Sequence, residues 1–160
     1  MKKKKIHKTN AMRILDQAGF PYEIHEYPWK EGDSDTENAA EKMGLPVFKT
    51  LVAVGDKTGV IVACLPSKDE VDLKALARAS NNKKVEMLAM KDLEKTTGYI
   101  RGGCSPVGMI KHFPVFIAEQ AEDLDTMVVS AGKRGMQMEL KPGDLQAATD
   151  ANFADFTAKH

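Results

Sequence analysis

The feature that most constrains the fold is a pair of apolar segments joined by a short polar turn. LPVFKTLVAV (residues 45–54) and VIVACLP (residues 60–66) flank the turn GDKTG. Strand-like segments separated by a turn of this composition predict a β-hairpin. The second segment is apolar throughout, so we expect both of its faces to be buried. A chain of 160 residues, 42% of them hydrophobic, is long enough to supply that core as one domain.

The remaining segments alternate helical and strand-like patterns. Residues 9–19 (TNAMRILDQAG) have the periodicity of an amphipathic helix that Thr9 or Asn10 can cap and that Gly19 ends. We predict further helices from Ser34 to Gly44, after Asp72, within residues 89–97 and near residues 144–156, and strands at residues 22–27, 113–119, 126–132 and 136–140. This order indicates an α/β or α+β domain around a mixed or mainly antiparallel sheet.

Charge and cysteine content exclude several classes of protein. Lys and Arg together number 23, and Asp and Glu together also number 23, so the net charge is zero. This balance argues against a protein built mainly to bind bulk nucleic acid, although it leaves room for a local basic patch. Residues 1–8 form either a solvated basic tail or an RNA-contacting arm, and residues 9–160 form the domain. The two cysteines and four histidines lack zinc-site spacing, so we expect no metal and no other cofactor. With no secretory signal and no membrane-length apolar run, we expect a cytoplasmic protein.

The glycine-rich stretch GYIRGGCSPVG (residues 98–108) needs an explanation of its own. It lacks the spacing of a nucleotide-binding loop, and Pro106 removes an N–H that a phosphate would need. Cys104 as a nucleophile would require a partner that lowers its pKa, so packing in a tight turn is the better interpretation. Two hypotheses remain open: a structural turn, or a pocket wall in which the backbone of Gly102 and Gly103 holds a carbonyl oxygen.

Two further places combine charge with an unusual setting. Lys49 stands in an otherwise apolar strand, so its ammonium either extends to water or binds a ligand's oxygen or phosphate in a pocket. In SAGKRG (residues 130–135), glycines bracket Lys133 and Arg134 after Ser130. This turn is either an exposed hairpin or a site that presents a hydroxyl and cations together.

Taken together, FKT (residues 48–50), TGYIRGGCSPVG (residues 97–108) and SAGKRG resemble the YbaK/EbsC family of Cys-tRNA(Pro) and Cys-tRNA(Cys) deacylases. TNAMRILDQAG and LKPGDL also look like members from Gram-positive bacteria. The resemblance runs from about residue 8 to residue 157. It implies a single compact domain with a mixed, mainly antiparallel, barrel-like sheet surrounded by helices, similar to the editing domain of prolyl-tRNA synthetase.

The resemblance also implies a reaction, the removal of cysteine wrongly attached to proline tRNA. Cysteine and proline have similar volumes, so a synthetase pocket separates them poorly by size. In the mechanism proposed for the family, the substrate's own thiol attacks its ester and releases a thiolactone, chemistry formally of a hydrolase or a lyase. Such an enzyme needs no nucleophile of its own. The implied partners are the acceptor end of mischarged tRNA and prolyl-tRNA synthetase, with no DNA and no membrane.

The family pattern assigns roles to particular positions of this chain. Gly102 would line the carbonyl site through its backbone, and Lys49 would contact the terminal ribose or phosphate, or the amino acid. Ser130 completes the set of catalytic candidates. The candidates for substrate binding are Tyr27, Thr50, Gly103, Ser105, Pro106, Lys133 and Gln137.

One position departs from the family pattern. Better-known members place an aspartate where this chain has Gln137, so a neutral amide replaces a carboxylate that could bind the substrate's ammonium. Glu139 lies on the same strand face and could replace it only if the strand register allowed. Two alternatives therefore stay open: a water-using deacylase for Ala-tRNA(Pro), which shares the G-x-x-x-P element, and a non-catalytic module that binds a synthetase.

Overall fold

The computed structural model describes residues 8–26 and 44–158. Tyr27 and the helix predicted from Ser34 to Gly44 fall on the segment 27–43, outside the described residues.

The predicted hairpin is confirmed and forms the centre of the larger sheet. Strands β2 (Phe48–Gly55) and β3 (Gly59–Pro66) pair antiparallel, from Phe48 opposite Pro66 to Gly55 opposite Gly59. Residues 61–65 of β3 are all buried, as expected for a strand covered on both faces.

The larger sheet has five strands in the order β4-β2-β3-β5-β8. The short strand β4 (Val85–Met87) pairs antiparallel with β2, whereas β5 (Val115–Ala118) runs parallel to β3, and β8 (Asn152–Ala154) runs parallel to β5. Every residue of β5 is buried, so β3 and β5 are the most completely buried strands of this sheet.

A second sheet has three antiparallel strands in the order β1-β7-β6. They are β1 (Glu23–Glu26), β7 (Met136–Leu140) and β6 (Met127–Lys133). A parallel bridge between Val47 and Val128 joins the two sheets next to the start of β2. Within the described residues, the sheets do not close into a complete barrel.

The helices begin and end where local signals place them. Thr9 caps α1 (Asn10–Ala18), its hydroxyl accepting the N–H of Met12 at 3.2 Å, and Gly19 ends it in the left-handed conformation. Asp72 caps α2 (Leu73–Ala79) in the same way. A 3₁₀ turn leads into α3 (Leu93–Thr97), and a final helix, α4 (Pro142–Thr149), follows β7.

The final helix corrects one prediction. We predicted a helix near residues 144–156, but α4 spans Pro142–Thr149 and ends where Asp150 adopts a left-handed φ of 55°. The following residues form β8 on the edge of the larger sheet instead. A short apolar run beside an existing strand gains backbone hydrogen bonds there, and helix periodicity alone does not show that competition.

The core fills the space between the two sheets and the helices. Its largest fully buried side chains include Met12 and Leu15 of α1, Leu65 of β3, Ile117 of β5 and Met138 of β7. The predicted class, a mixed α/β domain with mainly antiparallel pairing, is thus confirmed. Among the residues that the structure describes, no helix is both long and apolar enough to cross a membrane.

Candidate functional site

The glycine-rich stretch begins with a tight turn. The N–H of Gly103 donates to the carbonyl of Ile100 at 3.0 Å, which closes a β-turn with Arg101 and Gly102 at its centre. Gly102 has a φ of +85°, whereas Arg101 is not among the residues with positive φ. A negative φ followed by a positive one defines a type II turn, in which the third residue favours glycine. The sequence therefore has Gly102 where this backbone requires it.

The turn uses one of the two predicted backbone donors, and the other has no recorded acceptor among the described residues. The N–H of Gly103 is committed to Ile100. Within residues 8–26 and 44–158, the structure records no hydrogen-bond acceptor for the N–H of Gly102. Gly102 is exposed and Gly103 is buried. A backbone N–H at an exposed turn, with no recorded acceptor among the described residues, is the kind of group that can hold a ligand's oxygen.

The glycine-rich stretch lies directly against the turn that follows β6. A β-carbon on Gly103 would come within 3.3 Å of the Lys133 α-carbon and 3.2 Å of the Arg134 nitrogen, so the two backbones touch. Tyr99 closes the stretch from inside, since its hydroxyl donates to the carbonyl of Val107 at 2.7 Å. Two of the three sequence motifs are thus in contact.

Cys104 belongs to the packing of this region. It is buried in a cluster with Val52 and Tyr99, and burial raises the pKa of its thiol to about 12. A thiol with this pKa is neutral near pH 7, whereas a catalytic cysteine needs a lowered pKa. The structure thus supports packing rather than nucleophilic attack for Cys104.

Ser105 and Pro106 support the glycine-rich stretch from behind. Ser105 is fully buried, and its hydroxyl accepts the N–H of Val107 at 3.2 Å. Pro106 is also buried and lines a separate cleft of about 170 Å³ with Ile14 and Phe113. These two candidates shape the turn, and the described contacts of Ser105 are within its own segment.

The third motif reaches the region through strand β2. Lys49 and Thr50 are both half-buried and, as neighbours on a strand, point to opposite faces. Thr50 Oγ1 lies 4.0 Å from Cys64 Sγ, on the face that carries Val52 and therefore on the side of the glycine-rich stretch. Lys49 shares its face with Val47, the residue that bridges to β6.

Ser130 and Gln137 lie directly opposite each other on β6 and β7. Ser130 stands two positions after the bridging Val128, just as Lys49 stands two positions after Val47, so both lie on the same side of the junction between the sheets. The pairing shifts register between Ser130 and Lys133. Such a bulge bends the strand and re-aims its side chains, and bulges are frequent beside active sites.

Gln137 is the most unusual buried side chain of the second sheet. It is only 2% exposed, and among the described residues its Oε1 is the buried side-chain atom that lacks a hydrogen-bond partner. An unsatisfied buried acceptor costs about 1–3 kcal/mol and calls for an explanation. A ligand donor at this place would supply the missing hydrogen bond.

Glu139 is already satisfied by its neighbours. His25 Nε2 lies 2.8 Å from one carboxylate oxygen, and the Thr126 hydroxyl donates to the other. The Thr126 and His25 hydrogen bonds hold the pKa of Glu139 below its ordinary value. Ligand atoms of Glu23, His25 and Glu139 lie within 4.8 Å of one another, a spacing that a metal ion could use, but the existing hydrogen bonds need no ion. Glu139 therefore does not replace the family aspartate as a free acceptor.

The structure thus brings the predicted residues together in two groups. The glycine-rich stretch contacts the 132–135 turn, and Thr50 faces that side of β2. Lys49, Ser130 and Gln137 lie on the side of β2 and β6 where the Val47–Val128 bridge joins the two sheets. Lys133 lies exposed in the turn. Tyr27 lies outside the described residues.

Comparison with known proteins assigns the chain to a family. The aminoacyl-tRNA editing domain family matches residues 31–148, and the chain belongs to this family. It is 54% identical over 161 residues to the Enterococcus faecalis (strain ATCC 700802 / V583) protein named "Putative Cys-tRNA(Pro)/Cys-tRNA(Cys) deacylase EbsC", a match that covers 99% of this chain and 98% of that protein. The resemblance inferred from the three motifs is confirmed.

Solved structures confirm the fold. A crystal structure described as a "putative trans-editing enzyme for prolyl tRNA synthetase" superposes with a TM-score of 0.81 at 23% identity, covering 94% of this chain and 96% of that one. The structure of "hypothetical protein APE2540" gives a TM-score of 0.83 at 18% identity, covering 94% of this chain and 100% of that one.

Sequence reasoning missed three contributors to this region: Tyr99, Arg134 as a partner of the glycine-rich stretch, and the His25–Glu139 pair. Tyr99 carried a local signal, since an aromatic residue inside a glycine-rich stretch often packs. The other two depend on contacts between distant segments, and no local pattern marks them.

Proposed function

We propose that this chain is an aminoacyl-tRNA deacylase that removes cysteine from Cys-tRNA(Pro), with Cys-tRNA(Cys) as a second substrate. Membership of the editing-domain family and the name of the Enterococcus relative support this proposal. The observation that carries it is the exposed type II turn, whose Gly102 N–H has no acceptor within the described residues. That N–H can stabilise the charge that develops on an ester oxygen.

The attacking group in this proposal is the thiol of the substrate itself. Its sulfur forms a bond to the ester carbonyl carbon, the bond from that carbon to the terminal ribose oxygen breaks, and the thiol proton goes to the departing oxygen. The products are a thiolactone and free tRNA. Among the described residues, the buried thiols of Cys64 and Cys104 both have pKa values raised to about 12, which argues against either as nucleophile.

In this proposal Ser130 binds the substrate and does not attack it. Its Oγ accepts the N–H of Gly132 at 3.2 Å, which leaves its hydroxyl hydrogen to donate to a ligand. The only described histidine on the second sheet, His25, is paired with Glu139. We therefore assign Ser130 a hydrogen bond to the substrate, and Lys49 a charge contact with the terminal ribose or phosphate. Lys133 and Thr50 border the same region.

Gln137 supplies the acceptor for the amino group in this proposal. Its Oε1, which has no hydrogen-bond partner in the described part of the chain, would accept an N–H of the cysteinyl ammonium. The bond is charge-assisted, since the ammonium is ionised, but it lacks the full ion pair that an aspartate would give. The chain would thus hold the amino group more weakly than relatives with a carboxylate there.

Recognition of the tRNA body is assigned to a partner, prolyl-tRNA synthetase. The balance of 23 basic and 23 acidic residues gives the chain no general attraction for RNA. A pull-down at low salt tests this. Recovery of the synthetase supports the partnership, and failure to recover it favours action on free aminoacyl-tRNA.

The test of the function is a substrate series. Purified protein is incubated with Cys-tRNA(Pro), Ser-tRNA(Pro) and Ala-tRNA(Pro), and loss of each amino acid is followed. Loss of cysteine alone supports attack by the substrate thiol, and detection of the thiolactone would identify the product. Equal loss of alanine or serine would show a water mechanism, and no loss of any would contradict a deacylase.

A further inference from the structure

Arg134 reaches from the turn after β6 to the glycine-rich stretch. Its Nε donates to the backbone carbonyl of Arg101 at 2.8 Å. Its Cγ and Nε also lie 3.4 Å from the point that a β-carbon on Gly102 would occupy. The side chain therefore lies against the peptide that joins Arg101 to Gly102.

That peptide also carries the Gly102 N–H, for which the described part of the chain supplies no acceptor. A trans peptide is planar and rigid, so its C=O and its N–H point in opposite directions. The described chain contains no cis peptide. A bond that fixes the carbonyl of Arg101 therefore fixes the direction of the Gly102 N–H. A hydrogen bond from a guanidinium also polarises the peptide, which strengthens the same N–H as a donor.

The alternative to this orientation is a flipped peptide. Type I and type II turns differ at the central peptide, since ψ of the second residue changes from about −30° to about +120° and φ of the third from about −90° to about +80°. Glycine at the third position tolerates both. The closing bond from Gly103 to Ile100 can form in either turn. The Arg134 bond forms only when the Arg101 carbonyl points toward Arg134, so it selects between them.

We propose that Arg134 is a positioning residue that holds the Arg101–Gly102 peptide with its N–H available to the substrate's carbonyl oxygen. The inference rests on the proposed deacylase function. Arg134 acts through the peptide and does not itself contact the reacting atoms. Without it, the peptide also populates the flipped turn, which turns the Gly102 N–H away from the substrate and presents a carbonyl oxygen to a developing negative charge.

Arg134→Met tests this role, because it keeps an unbranched side chain and removes the Nε donor. In single-turnover reactions with saturating protein and Cys-tRNA(Pro), we expect the rate constant to fall about 10-fold to 100-fold, up to the loss of one oxyanion donor. Arg101→Met is the matched control, since it removes a neighbouring positive charge but keeps the carbonyl. It should change tRNA binding at most and leave the rate constant unchanged. Equal rate constants for the two variants would overturn the proposal.

A second measurement needs no substrate. In amide nitrogen–proton NMR spectra of the free protein, Arg134→Met should broaden or split the Gly102 and Gly103 signals through exchange between two turns. Arg101→Met should shift these signals without splitting them. If Arg134→Met does not fold, Arg134→Lys, which keeps the charge but has no donor at the Nε position, carries the same expectation.

These two measurements separate the two proposals. If wild-type protein deacylates none of the three tRNAs, the proposed function fails, while the NMR signals still report whether Arg134 holds the peptide. If Arg134→Met leaves the Gly102 and Gly103 signals single and sharp, the positioning role fails whatever the activity.

Discussion

The two sheets of this protein differ in the kind of side chain that they bury. The most buried strands of the larger sheet, β3 and β5, bury apolar side chains. The smaller sheet buries apolar residues such as Val129 and Met138 on one face, but its other face carries Ser130, Gln137, His25 and Glu139. Burial of apolar groups stabilises the fold, whereas a buried acceptor without a partner costs stability. The difference separates a sheet that stabilises the fold through apolar burial from one whose polar face holds two of the proposed site residues, Ser130 and Gln137.

The largest effect on stability should come from the larger sheet. Ile117→Ala on β5 removes most of a fully buried side chain, so we expect the free energy of unfolding to fall by about 2–5 kcal/mol. Chemical denaturation measures the loss. The specific activity of the folded protein should stay near that of the wild type. A large fall in the single-turnover rate constant as well would contradict the proposed difference between the two sheets.

Lys49→Ala should reduce activity strongly and stability little, the opposite of the effect expected for Ile117→Ala. Lys49 is half-buried beside the junction of the sheets, so we expect a roughly 100-fold loss of deacylation when its charge contact with the terminal ribose or phosphate is removed. Stability should change by less than about 1 kcal/mol, because the side chain is not part of the apolar core. Full activity of this variant would show that the assignment of the pocket is wrong.

Gln137→Met tests whether this buried side chain of the smaller sheet serves the stability of the fold or the binding of substrate. The substitution keeps the approximate volume and removes the unsatisfied Oε1, so the free energy of unfolding should stay equal or rise. Deacylation should fall about tenfold, the value of one hydrogen bond to a charged group. Kinetics at several substrate concentrations, with thermal unfolding alongside, measure both. Unchanged activity together with lowered stability would assign Gln137 to the fold alone.

The smallest effect should come from Glu139→Gln and should depend on pH. Because Thr126 and His25 hold the pKa of Glu139 below its ordinary value of 4.5, the carboxylate's contribution is complete above that value and is lost as the pH falls through the lowered pKa. We expect the variant to melt about 2–4 °C below the wild type near neutral pH, for roughly 1 kcal/mol lost. The gap should close in acid. A gap that widened in acid would contradict this sign.

Much of the fold could be predicted from local signals. The hairpin of β2 and β3 follows from two apolar runs and a polar turn, and α1 follows from its periodicity with Thr9 and Gly19 at its ends. The end of α4 and the strand β8 could not, because the hydrogen bonds that decide them come from β5, far away in the sequence. The candidate residues of the site were found through three motifs, and their spatial relations were not.

The sequence by itself determined the hairpin, the capped first helix, the type of residue in the glycine turn and the family. These depend on neighbours in the chain, whose geometry the backbone dictates. Only the tertiary structure decided that Arg134 bonds to the Arg101 carbonyl, that Glu139 is already paired, and that Gln137 Oε1 finds no partner among the residues the structure describes. Those facts depend on distances between side chains and peptides from separate strands and loops, and packing sets such distances only when the whole chain has folded.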